Sequence, residues 1–139
     1  MKVYNFNEIQ LQELRIPAGW YIHLNKFYHI DPDPSIEIEN GPEGFGVFEL
    51  FFEVTLFTAR HIARRKFIDL GWYPMWEPDG QYILEAFSYQ EWENTESGSE
   101  TSHLSKELIF TFSTRVREEL VEVLEKLMLA LAVGQPLKW

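Results

Sequence analysis

In "PAGWYIHLNKF" the positions Trp20, Ile22 and Leu24 alternate with Tyr21 and His23. A period of two predicts a strand, and Pro17 and Gly19 mark the turn that opens it. A shorter strand is expected in "KVYNF", residues 2 to 6. "DPDPSIEIENGPEG" is turn chemistry, because proline fixes φ, glycine permits positive φ and aspartate bonds its own backbone. A brief extended piece from Ile36 to Ile38 fits inside it. "FGVFELFFEVTLF" reads as the clearest strand: Phe48, Leu50, Phe52, Val54 and Leu56 fall on one face, and Glu49, Phe51, Glu53 and Thr55 on the other. "TARHIARRKF" admits a helical face through Ala59, Ile62 and Ala63, or a turn and a second strand. The second reading places a strand from about Arg64 to Leu70.

Beyond it, Gly71, Pro74 and the group Pro78-Asp79-Gly80 make "GWYPMWEPDG" a loop that ends in a tight turn. Alternation resumes in "QYILEAFSY", with Tyr82, Leu84 and Ala86 opposed to Ile83, Glu85 and Phe87. "EWENTESGSETSHLS" reads as a polar loop, and "KELIFTFS" as a strand with Leu108, Phe110 and Phe112 on one side. The chain then changes period. Val116, Leu120, Val123, Leu124, Leu127 and Leu131 recur at three- and four-residue steps, which predicts an amphipathic helix. Ser113 or Thr114 can cap it, Glu118 and Glu119 suit its first turn, and Gly134 with Pro136 stops it. The expectation is an α+β domain: an antiparallel sheet of about five or six strands with the C-terminal helix packed on one face. Residues 1–139 suit a single domain with one core.

Charge changes this picture more than composition does. Lysine and arginine number 12 against 22 acids, a formal net charge of −10. Phosphate backbones and anionic membrane surfaces would repel such a field, so neither nucleic acid nor membrane is expected as a partner. A basic protein partner would be drawn to it. The acids are also blocked. Between Lys26 and Arg60 lie seven acids and no Lys or Arg; between Lys66 and Lys106 lie eight acids, again unrelieved. Basic residues gather at Arg60, Arg64, Arg65 and Lys66, where they suit pairing with the protein's own acids. No apolar run reaches membrane-span length, and the opening "MKVYNFNEIQLQEL" lacks the apolar stretch of a secretory leader, so a cytoplasmic location is expected.

Candidate chemistry is sparse. Cysteine is absent, which removes disulfides, thiolate nucleophiles and Cys-type zinc sites. The four histidines lack partners at metal-ligand spacing. "DPDPSIEIENGP" opens like a calcium loop, but Ile36 stands where the glycine is required and Pro42 where the bidentate glutamate belongs. No GxSxG elbow, P-loop or GxGxxG occurs. No metal, cofactor or catalytic set is expected, and the protein reads as a non-enzyme.

"IDLGWYPMWEPDGQYILEAFSYQEWEN", residues 68 to 94, carries three tryptophans, two aspartates and four glutamates with no lysine or arginine. Aromatic anchors inside an acidic rim are a way to concentrate affinity for a basic partner: the ring fills a pocket and the carboxylates steer approach. Trp72, Tyr73, Trp76, Glu77, Asp79, Glu91, Trp92 and Glu93 are the candidate contact residues. The competing reading is that the tryptophans cap the end of the core.

"IPAGWYIHLNKFYHIDP", "IDLGWYPMWEPDGQYILEAF" with the following "EWEN", and "FSTRVREELVEVLEKL" together resemble the small acidic immunity proteins that bacteria carry beside polymorphic or contact-dependent toxins. The resemblance lies in turns, tryptophans and a final helix. It implies a protein without an active site that binds one cognate toxin and blocks it. The alternatives are a small-ligand or enzymatic domain using a concave sheet face lined by Trp20, Phe48 and Phe52, and a structural subunit that self-associates through its aromatic patch.

Overall fold

The computed structural model describes residues 2–90 and 106–137. Along the chain come β1 (Val3–Asn5), a 3-10 turn (Phe6–Glu8), β2 (Trp20–Asn25), β3 (Glu37–Glu39), α1 (Val47–Phe51), β4 (Phe57–His61), β5 (Lys66–Tyr73), β6 (Gln81–Tyr89), β7 (Lys106–Thr114) and α2 (Arg117–Val133). Strands β2, β4, β5, β6 and β7 form a five-stranded antiparallel sheet in that order, while β1 and β3 pair in parallel as a separate ribbon. With α2 packed on the sheet, the architecture is α+β, as the patterning implies.

The strand period explains the core. Phe57, Ala59 and His61 of β4, Ile68, Leu70 and Trp72 of β5, and Tyr82, Leu84 and Ala86 of β6 are buried. Register lines them up: Phe57 faces Leu70, which faces Leu84, and Ala59 faces Ile68, which faces Ala86. Helix α2 lays Leu120, Leu124, Leu127, Met128 and Leu131 into the same core cluster. That stripe repeats at steps of four, three, one and three, the core-facing arc of a 3.6-residue helix.

Both ends of α2 are local decisions. Gly134 takes the left-handed conformation (φ 71°) and returns its N–H to Ala130 O. The N-cap position is held by Val116, without a side-chain cap. Thr114 Oγ1 instead accepts the Val116 N–H at 3.1 Å, so the threonine expected to cap the helix sits two residues before the N-cap position.

The other sheet face is organised in rows. Tyr21, Arg60, Phe67, Phe87 and Leu108 are successive cross-strand neighbours, and beside them run Thr58, Asp69, Glu85 and Thr111. Asp69 thus stands directly opposite Glu85. Burial, and then the Glu85 charge, raise its carboxyl from 3.8 to about 6, with Lys106 opposing. Its Oδ1 is buried with no hydrogen-bond partner among the described residues.

The expected strand in "FGVFELFFEVTLF" is corrected. Residues Val47–Phe51 are a short helix entered from Gly46, whose carbonyl accepts the Leu50 N–H at 3.0 Å. Alternation would have turned Phe51 outward, yet Leu50, Phe51 and Phe52 are buried in succession. One helical turn followed by an irregular link lets adjacent apolar residues enter the same core; an extended strand sends them to opposite faces. The link still hugs β5: Trp72 N–H donates to Glu53 O, and Leu56 N–H to Leu70 O, each at 2.8 Å. Where it crosses Gly71, a Cβ on that residue would lie 1.8 Å from the Val54 carbonyl oxygen. Only glycine permits that approach.

"TARHIARRKF" resolves as strand, turn and strand. The turn occupies 62–65, and β5 begins at Lys66 and continues through Gly71, Trp72 and Tyr73. The expected loop therefore starts three residues later than its glycine suggests, because Gly71, Trp72 and Tyr73 pair with Ile83, Tyr82 and Gln81.

Candidate functional site

The β5–β6 connection, residues 74–80, is stapled from inside. Trp72 is 1% exposed; its rings lie 5.0 Å from Phe52 and 5.0 Å from Tyr82, and its Nε1 donates to Glu77 O at 2.7 Å. Glu77 N–H returns to Pro74 O, and Gly80 N–H to Glu77 O. Gly80 has no room for a side chain: a Cβ there would stand 2.3 Å from Tyr73 O and 2.8 Å from Trp72 Nε1. Arg115, at the end of β7, completes the clasp. It donates to the carbonyls of Pro78, Asp79 and Gly80, and its guanidinium lies 6.0 Å from the centre of the Trp72 ring.

This scaffold turns Trp76 outward. Trp76 adopts φ 61°, a left-handed conformation in which a bulky residue is strained by about 1 kcal/mol or more. Its N–H is held by Phe52 O at 2.8 Å, so the conformation is imposed by the link behind it. The indole is 51% exposed and lies 6.3 Å from the ring of Phe48, itself 41% exposed on α1. Met75 is also exposed. Phe48, Met75 and Trp76 thus form an apolar surface built from two segments. Glu77 and Asp79 are exposed on the same turn, and Glu49 follows Phe48 on the helix. Arg115 spends its donors on carbonyl oxygens rather than on these carboxylates. Ion pairs among the described residues, Arg117 with Asp31 and Lys126 with Glu122, lie elsewhere.

The residues singled out from sequence therefore separate. Trp76, Glu77 and Asp79 come together at an exposed turn. Trp72 is corrected from surface anchor to core: its indole is enclosed and serves as the inner staple. Tyr73 alternates to the opposite sheet side and is half-buried; burial, and then Asp69 and Glu85, raise its hydroxyl above the ordinary value. Glu91, Trp92 and Glu93 lie outside the described residues. Phe48 and Met75 were missed, Phe48 because the strand assignment put it on a core face. The concave face of Trp20, Phe48 and Phe52 does not form. Phe52 is fully enclosed, Trp20 Nε1 donates to Met128 O on α2, and Phe48 sits out beside Trp76.

Elsewhere, a hollow of about 360 Å³ is lined by Lys2, Tyr4, His29, Asp33 and the Arg117–Asp31 pair. Arg117 is nearly buried, bonds Asp31 and Gln12, and so ties both to the start of α2. Among the described residues no group of three or more His, Asp or Glu side chains could hold a metal ion, and no helix is long and apolar enough to cross a membrane. No protein-family model, curated protein or solved structure matches this chain significantly.

Proposed function

We propose that this is a non-enzymatic binding protein whose Phe48–Met75–Trp76 surface docks a basic protein, and that it acts as an immunity protein, occluding a cognate toxin domain. The observation that carries this reading is Trp76. A half-exposed indole held in a left-handed conformation, against a second exposed ring and beside exposed carboxylates, contributes little to the fold that a smaller residue would not. Burying its exposed half removes roughly 100 Å² of ring surface from water, worth about 2.5 kcal/mol at ~25 cal/mol/Å², the size of an interface hot spot. The −10 net charge supports the basic character of the partner by steering its approach.

Co-expression with the product of the adjacent gene tests the proposal. Relief of that product's toxicity by the intact chain, weakened by Trp76→Ala, is expected. A neighbour that is harmless, or whose toxicity is unrelieved, overturns the immunity reading.

A further inference from the structure

The site's ligand chemistry can be carried further, resting on the reading above that this surface docks a basic protein. We propose that Trp76 receives an arginine side chain of that partner, its guanidinium laid on the free area of the indole with Glu77 as the nearest countercharge. Three observations converge. First, the surface is aromatic and acidic together: Trp76 and Phe48 rings are 6.3 Å apart and inclined at 42°, and each is followed in sequence by a glutamate. A planar cation with apolar faces satisfies both features, whereas an aliphatic side chain would leave the carboxylates unanswered and an ammonium would stack less well.

Second, the fold already uses this chemistry one indole away. Arg115 sits against Trp72 while its donors are taken by the carbonyls of Pro78, Asp79 and Gly80. Two further cations are seated similarly, Arg60 on Tyr21 and Lys106 on Phe87. Among the described residues no cation is seated on Trp76. Third, the turn is rigid by construction. The Trp72 and Arg115 clasps and the Trp76 N–H bond to Phe52 fix the main chain from which the indole projects before any ligand arrives, so little backbone ordering is left to binding.

The test uses the full chain with three short peptides of one sequence, carrying arginine, lysine or citrulline at the same positions. Binding is followed at the Trp76 indole N–H by NMR, assigned with Trp76→Gly. Glycine suits the left-handed turn, so that variant keeps the fold. The arginine peptide is expected to shift the Trp76 indole saturably. Citrulline, which keeps the shape without the charge, should abolish the shift, and lysine should bind several-fold more weakly. Measured by isothermal titration calorimetry, which needs no indole reporter, Trp76→Gly should lower arginine-peptide affinity roughly three- to tenfold, and Glu77→Gln a few-fold. Equal shifts from citrulline and arginine overturn the proposal, as does arginine binding spread over the acidic surface with the Trp76 indole unmoved. Co-expression rescue that survives such a result leaves the binding role standing and removes only the arginine. Failure of rescue with a positive peptide result removes the immunity role and keeps the site.

Discussion

Replacing Asp69 with asparagine probes whether the rows on the sheet face are understood. Asp69 lies mid-sheet, flanked by Thr58 on β4 and Glu85 on β6, with Tyr73 farther along its own strand and Lys106 at the start of β7. Its carboxyl is raised from 3.8 to about 6, chiefly by burial and then by Glu85. A raised acid is protonated more readily in the folded chain than in the unfolded one. Below about pH 4 both states hold the proton and folding carries no penalty. Above about pH 6 both have lost it, and the folded state must hold a desolvated charge facing Glu85. Stability from this group is therefore lost as pH rises from about 4 to about 6. Two units correspond to roughly 3 kcal/mol, and partial solvent access reduces this to about 1–2 kcal/mol. An asparagine side chain keeps the shape and does not ionise. The Asp69→Asn variant should match the parent at pH 4 and exceed it by about 1–2 kcal/mol at pH 7.5, a gain of several degrees in Tm. Urea unfolding at both pH values measures this, and the difference between variant and parent cancels the other acids. An offset of the same size at both pH values, or a larger one at pH 4, would refute the assignment of the destabilising charge to Asp69.

Other outcomes follow from the same packing. Trp76→Gly should leave stability by thermal unfolding within about 1 kcal/mol, since lost ring contacts are offset by relief of the left-handed strain. Leu124→Ala should lower stability by about 2–5 kcal/mol in denaturant titration, because the side chain is fully enclosed between sheet and helix. Gly71→Ala should cost several kcal/mol or prevent folding, read by far-UV circular dichroism, since its Cβ would meet the Val54 carbonyl, which is backbone and has no rotamer to yield. Arg115→Ala should speed amide hydrogen exchange at Asp79 and Gly80 while leaving α2 protected, because its donors clasp that turn.

Several elements were legible because their signal is local. The alternation in 81–86 and the helical stripe from Leu120 to Leu131 each declare one buried side, and the structure places both where the period puts them; past the bulge at Ala86/Phe87 the strand period fails, and Phe87 and Tyr89 are buried as well. Gly134 ends α2 for a reason contained in one residue, its freedom to take φ 71°. The stretch 47–56 was not legible in the same way. Leu50, Phe51 and Phe52 are consecutive, so no period distinguishes a buried helical turn from a strand, and only their packing against Trp72 and the chain's crossing over Gly71 decides.

The site divides along the same line. Composition and order determined by themselves that aromatic residues would stand among unrelieved acids between Lys66 and Lys106, and that no sequence motif for catalysis accompanies them. Which ring reaches water was decided only by tertiary structure. Trp72 and Trp76 are four residues apart and chemically identical, yet one is 1% and the other 51% exposed. The strand places the first under the sheet's own core, and a backbone bond to Phe52 turns the second away from it. Period and charge are properties of neighbours along the chain; accessibility is a property of what the rest of the chain packs on top.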